Sequence, residues 1–202
     1  MLMHQSKEAF LILGNMVTAL HLLEECAEFS SLIPEVRTNL AYALSNARSP
    51  QDVAAIPGRI TVVRGFPRAA GLPGWGASDH LARRIIESRK YAKTINAMIN
   101  FKFDTRLIPL VQDYCRENNL LFGWLDRSQE PEELQQRDEA SMPWKVEQLF
   151  IKYKSIPLIY YEGPGWGKEP LFLINGGTAV EVVRTAIEIA ERWNLILRSS
   201  RS

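Results

Sequence analysis

The stretch Gly74-Trp75-Gly76-Ala77-Ser78-Asp79-His80 combines residue types that could bind an anion and move a proton. Its glycines let the backbone come close to a ligand. Leu81, Ala82, Ile85 and Ile86 follow at helical spacing, so the chain enters a helix near Ser78 and Asp79. Unpaired amides and the positive end of the helix dipole make such an entry a natural anion site. His80 falls in the first turn, where the dipole disfavours imidazolium; a neutral imidazole can donate to a phosphate or exchange a proton. A surface or capping histidine is the plain alternative. Asp79 either caps the helix or opposes an anion there.

Pro-Gly-Trp-Gly recurs at residues 164–167, followed by Lys168, Glu169 and Pro170. Neither copy fits a standard phosphate fingerprint. The first lacks the third glycine of a dinucleotide loop, because Asp79 stands in its place. The second has Glu169 where a P-loop needs Ser or Thr, and Pro170 forbids the helix. Lys168 is left as a phosphate contact or a solvated lysine. Arg59 opens a strand after Pro57-Gly58, a position suited to bidentate phosphate binding or to a surface ion pair. Asn100 and Lys102 share the polar face at a strand's C-terminal end, where α/β sheets place ligands. Trp75, Trp144 and Trp166 sit in or beside loops and could stack on a flat ring or pack in the core.

Several chemistries are excluded. The formal net charge of +1 gives no overall drive toward nucleic acid or an anionic membrane, and no basic stripe or known nucleic-acid module occurs. Only His4, His21 and His80 exist, which rules out a His-rich metal site. Cys26 and Cys115 lie in helical patterns far from any Cys-x-x-Cys spacing and read as buried reduced thiols, consistent with a cytoplasmic protein. The apolar run Ala9–Leu23 is too short and too interrupted to span a bilayer.

The elements that must position these residues alternate. Ser6–Phe29 carries an amphipathic stripe of Leu13, Met16, Val17, Leu20, Leu23 and Ala27. Glu24, Glu25 and Glu28 crowd its C-terminal end, which the helix dipole disfavours. Asn39–Leu44 reads as a buried strand, Ser49–Ile56 as one or two helical turns, and Arg59–Val63 with Phe66–Ala70 as a hairpin. The hairpin makes the sheet mixed. A helix over Asp79–Tyr91 precedes an alternating strand, Ile95–Phe103, with Asn96, Met98, Asn100 and Lys102 on its polar face. Asp104 caps a helix reaching Asn118; Leu120–Leu125 is a strand; the acidic run Arg127–Ala140 is a mobile crossing segment. Ser141 caps a helix with Pro143 near its start. Pro157–Tyr161 and Leu171–Ile174 are strands, and Thr178 with Glu181 forms a capping box for the last helix. The sum is one α/β domain: a central mixed β-sheet with helices on both faces. Residues 1–30 form the N-terminal helix, 31–195 the α/β domain and 196–202 a disordered tail.

Seven stretches, in order, resemble a known family: LIPEVRTNLAYAL (32–44), DVAAIPGRITVVRGFPRA (52–69), GASDHLAR (76–83), INFKFD (99–104), DRSQEPEE (126–133), SMPW (141–144) and GKEP (167–170). Together they resemble the ThiN-type thiamine-phosphate synthase domain over about Glu24 to Trp193. The resemblance implies condensation of hydroxymethylpyrimidine diphosphate with thiazole phosphate, giving thiamine phosphate and pyrophosphate. It implies small-molecule substrates, Mg²⁺ accompanying the diphosphate, and a free-standing version of a domain often fused behind a kinase. The family's important arginine matches Arg59 and its histidine matches His80, which gives these two the catalytic roles. Asp79 departs from the serine usual in that motif. The matching motifs would set Asn39, Gly76, Ser78, Asn100 and Lys102 at the substrates. From the second half they add Asp126, Arg127, Ser141, Trp144, Gly167, Lys168 and Glu169. The same domain also serves as a thiamine-phosphate sensor in archaeal transcription regulators, which carry a helix-turn-helix; the residues before Glu24 hold one helix. A third reading is an inactive domain that needs a partner kinase. The apolar N-terminal helix suggests a homodimer.

Overall fold

The computed structural model describes residues 2–135, 138–165 and 168–199. Helix α1 (Leu2–Glu25) and a 3-10 turn (Ala27–Leu32) lead to strand β1 (Leu40–Ala43). A second 3-10 turn, Pro50–Asp52, precedes β2 (Val53–Ala55), β3 (Ile60–Val63), β4 (Phe66–Ala69) and β5 (Gly74–Trp75). Then come α2 (Asp79–Ser88), β6 (Ala97–Lys102), α3 (Leu107–Glu117), β7 (Phe122–Leu125) and a 3-10 turn at Arg127–Gln129. The chain closes with α4 (Glu132–Gln135), α5 (Asp138–Tyr153), β8 (Ile159–Glu162), β9 (Leu171–Gly176) and α6 (Ala179–Ser199).

Seven strands form the central sheet in the order β5-β2-β1-β6-β9-β8-β7. Every pairing is antiparallel except β7 with β8, where α5 makes the crossover. The sheet is mixed, as expected, but through that pair. The hairpin β3–β4 forms a separate two-stranded sheet.

Period-two alternation sorts the strand residues onto two faces. Leu40, Ala54, Ile99, Phe172 and Ile174 pack with α1, α3 and α6 in one core. Ala41, Val53, Ala55, Met98 and Leu173 pack with α2 and α5 in the other. The polar face expected for β6 is therefore buried at its centre: Met98 is fully covered and Asn100 is 6% exposed, while Lys102 at the strand end is exposed. A central strand covered on both sides has no solvent face.

Four other local expectations change. Val53–Ala55 is a strand rather than part of a helix, because it pairs with both β1 and β5. The described part of the acidic run 127–140 is structured, as a 3-10 turn at Arg127–Gln129 and helices at Glu132–Gln135 and from Asp138, with Arg127 and Glu130 buried. Helix α5 starts at Asp138, so Ser141 is a buried helix residue and no cap; Pro143 lies inside the helix. Residues 196–199 belong to α6 rather than to a tail, and 200–202 lie outside the described residues.

Tertiary contacts explain the acidic end of α1. Glu24 Oε1 accepts from the Ala69 amide at 2.8 Å, and Arg68 Nη1 donates to the Glu24 carbonyl at 2.7 Å. The hairpin thus supplies both the partner for the acid and a cation at the helix C-terminus. The capping box of α6 forms with a shift: the Glu181 amide donates to Thr178 Oγ1 at 3.2 Å, while Glu181 Oε2 accepts from Gly177 N at 2.8 Å. Cys26 and Cys115 are buried free thiols, and burial pushes the Cys115 thiol up to about 12.

Candidate active site

The strand directions bring several chain ends to one end of the sheet. Strands β2, β6, β7 and β8 finish there, and β1 and β9 start there. At this end, on the α2/α5 face, lies a cavity of about 220 Å³. Its lining includes Asn39, Arg59, Ser78, His80, Asn100, Arg127, Lys168 and Glu169. These eight were all expected from the sequence. Apolar walls come from Val36, Leu81, Leu171 and Leu173, and Lys145 and Glu162 complete it.

Arg59 is held by an unusual backbone. Ile56 to Arg59 closes a turn with Gly58 at φ +72°, and Arg59 itself has φ +69°. A left-handed non-glycine residue costs energy and persists where its surroundings enforce it. The enforcement is mutual: Arg59 Nη1 donates to the Val36 carbonyl, and Arg37 Nη1 donates to the Gly58 carbonyl at 3.3 Å. Thr38 and Ile60 bridge the same two segments. Beneath them, Asn39 Oδ1 accepts from Leu40 N and Ile56 N, and Asn100 Nδ2 donates to the Arg37 carbonyl at 3.1 Å. Both asparagines line the cavity, yet they use these groups to fix the loops that carry Arg59.

His80 arrives through the N-terminus of α2. Ser78 is the extended N-cap residue, and its side chain makes no capping hydrogen bond. Asp79 turns outward: Oδ2 accepts from Arg83 Nε at 2.7 Å, and the residue does not line the cavity. The acid in the GASDH run thus leaves the helix entry open to an anion. Lys168 and Glu169 come from the segment before β9. Both Glu169 oxygens accept backbone amides, from Glu35 at 3.2 Å and Val36 at 3.1 Å. That carboxylate ties the second loop to the loop that also holds Arg59.

Other expected residues lie elsewhere. Gly76 takes φ +70° in the turn between β5 and α2 and does not line the cavity. Lys102 is exposed at the end of β6. Asp126 caps the following 3-10 turn by accepting from Ser128 N at 2.9 Å. Ser141 is buried in α5, and Trp144 packs against the α2/α5 core. Trp75 pairs with Ala54 in the edge strand and packs on the opposite core. Neither of these tryptophans faces the cavity, so a ring entering it would meet aliphatic walls. Trp166 and Gly167 lie outside the described residues.

Sequence reasoning missed Lys145 and Glu162. Glu162 ends β8 and pairs with the fully buried Arg84 of α2, whose Nη1 also donates to the Tyr160 hydroxyl at 3.2 Å. Burial would raise the Glu162 carboxyl, but Arg84, Lys145, His80 and Arg127 outweigh it and hold it down at about 2. In the sequence Arg84 and Lys145 look like ordinary helix-surface charges; only packing of α2 against α5 buries them.

The family model for thiamine-phosphate synthase ThiN matches residues 15–188. The chain belongs to the thiamine-phosphate synthase ThiN family. It is 36% identical over 187 residues to thiamine-phosphate synthase ThiN of Methanothermobacter thermautotrophicus, covering 93% of this chain and 96% of that protein. It is 31% identical over 188 residues to the bifunctional thiamine biosynthesis protein ThiDN of Methanocaldococcus jannaschii, covering 92% of this chain and 42% of that one. A crystal structure of the C-terminal domain of phosphomethylpyrimidine kinase superposes with a TM-score of 0.84 at 32% identity, covering 91% of this chain and all of that domain.

The donor set of this ThiN domain does not make a protein-held magnesium site. Both carboxylates lining the cavity are committed, Glu162 to Arg84 and Glu169 to two amides. No group of three or more His, Cys, Asp or Glu that could hold a metal ion occurs among the described residues. No described helix is long and apolar enough to cross a membrane.

Proposed function

We propose that this chain is a thiamine-phosphate synthase that joins hydroxymethylpyrimidine diphosphate to thiazole phosphate. In that reaction the thiazole nitrogen forms a bond to the pyrimidine methylene carbon. The carbon–oxygen bond to the diphosphate breaks, and pyrophosphate leaves with the bonding pair. The observation that carries the reading is the convergence of Arg59, the α2 entry with His80, and Lys168 on one cavity, in a chain of the ThiN family.

Negative charge develops on the departing diphosphate, and cations and amide donors fixed around the leaving oxygens stabilise it. Arg59 offers a guanidinium already oriented by Val36. Lys168 and Arg127 add cations to the same lining. His80 orients or donates to a phosphoryl oxygen; no nucleophile is needed, because an electron-rich pyrimidine stabilises a cation-like methylene centre. The aliphatic walls of Leu81, Leu171 and Leu173 suit the ring faces. Magnesium, on this reading, arrives on the diphosphate rather than in a protein cage, which matches its habit of keeping phosphate ligands.

The decisive experiment mixes the purified protein with both substrates and Mg²⁺ and follows thiamine phosphate. Product formation is the expected outcome. Tight binding of thiamine phosphate with no product would favour a sensor and overturn the synthase reading. We also propose a homodimer paired through α1, where Phe10 and Leu11 are 76% and 65% exposed. Light scattering should return twice the 23.0 kDa chain mass, and a monomer in the Phe10→Ser variant.

A further inference from the structure

Five buried ionisable side chains form a cluster at the closed end of the cavity, and three of them, Arg127, Lys145 and Glu162, line it. The five are Arg84 of α2, Arg127 and Glu130 of the turn after β7, Lys145 of α5 and Glu162 of β8. Arg84 pairs with Glu162. Arg127 Nε donates to Glu130 Oε2 at 3.2 Å. Lys145 has no comparable partner. Its Nζ stands 3.9 Å from Glu130 Oε1, beyond hydrogen-bond length, and among the described residues no atom accepts from it. The lysine is 0% exposed, yet it lines the cavity.

Among the described residues the cluster contains three cations and two carboxylates, one positive charge in surplus in a place shut off from water. A buried ammonium with unused donors is costly unless an anion completes it. The wall of the cavity also carries the cations Arg59 and Lys168, and the acid beside them, Glu169, has both its oxygens turned onto backbone amides. The geometry points to Lys145 as a substrate-contacting residue that donates hydrogen bonds to a phosphoryl oxygen at the closed end of the cavity. This deepens the synthase reading and rests on it for the ligand's identity, though not for its charge. Burial above all lowers the Lys145 ammonium to about 8; Glu162 opposes that, and Arg84 and Arg127 add to it. An anion arriving beside the nitrogen favours the ammonium and raises that value again.

The phosphoryl group has two sources, the pyrimidine diphosphate and the thiazole phosphate. The test uses pyrophosphate as the first probe and thiazole phosphate as the second, each titrated against thermal unfolding of wild type and Lys145→Met. Without ligand, Lys145→Met should melt at or above the wild-type temperature, since two cations and two carboxylates then remain. With pyrophosphate its dissociation constant should rise about 10- to 100-fold, the usual effect of losing a charged hydrogen bond. A rise for pyrophosphate alone assigns the diphosphate to Lys145, and a rise for thiazole phosphate alone assigns the other substrate. Unchanged affinity for both probes would overturn the assignment, as would a wild type that binds neither. If Lys145→Met does not fold, Lys145→Gln takes its place; failure of both to fold makes the lysine structural and overturns it too. The two readings separate cleanly. Pyrophosphate binding lost in Lys145→Met, in a protein that forms no thiamine phosphate, keeps Lys145 and removes the synthase. Thiamine phosphate formed by Lys145→Met at unchanged KM for both substrates does the reverse.

Discussion

Arg59 combines a left-handed backbone, an exposed position and one guanidinium hydrogen bond to Val36. Little of the core depends on its side chain. Arg59→Ala should therefore lower kcat/KM by about 10²-fold, the scale of losing one charge-stabilising donor, while Tm moves by no more than about 2 °C. His80→Ala should behave alike. A loss of stability matching the loss of turnover would make either residue structural. Asp79→Ser should leave pyrophosphate affinity within about threefold, because the acid pairs with Arg83 outside the cavity and such an exposed pair is worth little. Glu162 answers to pH. Its carboxyl is held at about 2 in the fold, below its ordinary value of 4.5, so its stabilisation is complete above the ordinary value. That contribution is lost as pH falls through the folded value. Glu162→Gln leaves Arg84 buried without its partner and should cost about 3–5 kcal/mol near neutral pH. In denaturant titrations the gap to wild type should narrow as the pH approaches 2. Lys145 has the same pH slope in a higher window, here from a penalty on the charged form: its fold-lowered value near 8, against an ordinary 10.5, makes the unfolded chain bind more protons between them. Wild-type stability relative to Lys145→Met should rise across that window. Among the described residues, Arg84, Arg127, Glu130 and Glu162 act on Lys145 directly, Tyr160 and His80 act on its neighbours Arg84 and Glu162, and Lys168 and Glu169 line the same cavity.

At the scale of elements, the cavity depends on loops tied by single groups. An added Cβ at Gly165 would sit 2.3 Å from Arg127 Nη2, although the glycine needs no left-handed φ. Gly165→Ala should displace Arg127 and weaken pyrophosphate binding about tenfold, measured by calorimetry, with a smaller effect on Tm. Helix positions and strand patterns were legible because periodicity survives in any context. The hairpin, α2, α3, α6 and most strands lie within a few residues of where apolar spacing sets them. The misreadings have one cause. Val53–Ala55, the buried face of β6 and the start of α5 were decided by neighbours distant in sequence: β5, the two helix layers, and the α2/α5 contact. The site was half legible for the same reason. Arg59, His80, Lys168 and Glu169 stand beside glycines and helix starts, where local geometry advertises a ligand. Lys145 and Glu162 sit in ordinary amphipathic context, and no local pattern marks them.

For the molecule as a whole, α1 is part of the fold. Met16 and Leu23 are fully buried in the core that α1 shares with α6 and the sheet. Leu23→Ala should cost about 2–5 kcal/mol in chemical denaturation, as for other large-to-small core changes. The exposed face of the same helix, Phe10 and Leu11, is where the proposed dimer would form. By itself the sequence determined the alternating α/β class, the rejection of both nucleotide fingerprints, the family, and the two glycine-rich loops as ligand candidates. Those follow from spacing and motif order, which are local and additive along the chain. Only the tertiary structure decided that the two Pro-Gly-Trp-Gly runs deliver Ser78, His80, Lys168 and Glu169 to one cavity, while Trp75 turns to the opposite core. It alone buried three cations against two carboxylates, because burial is set by which surfaces meet, and a chain does not carry that information residue by residue.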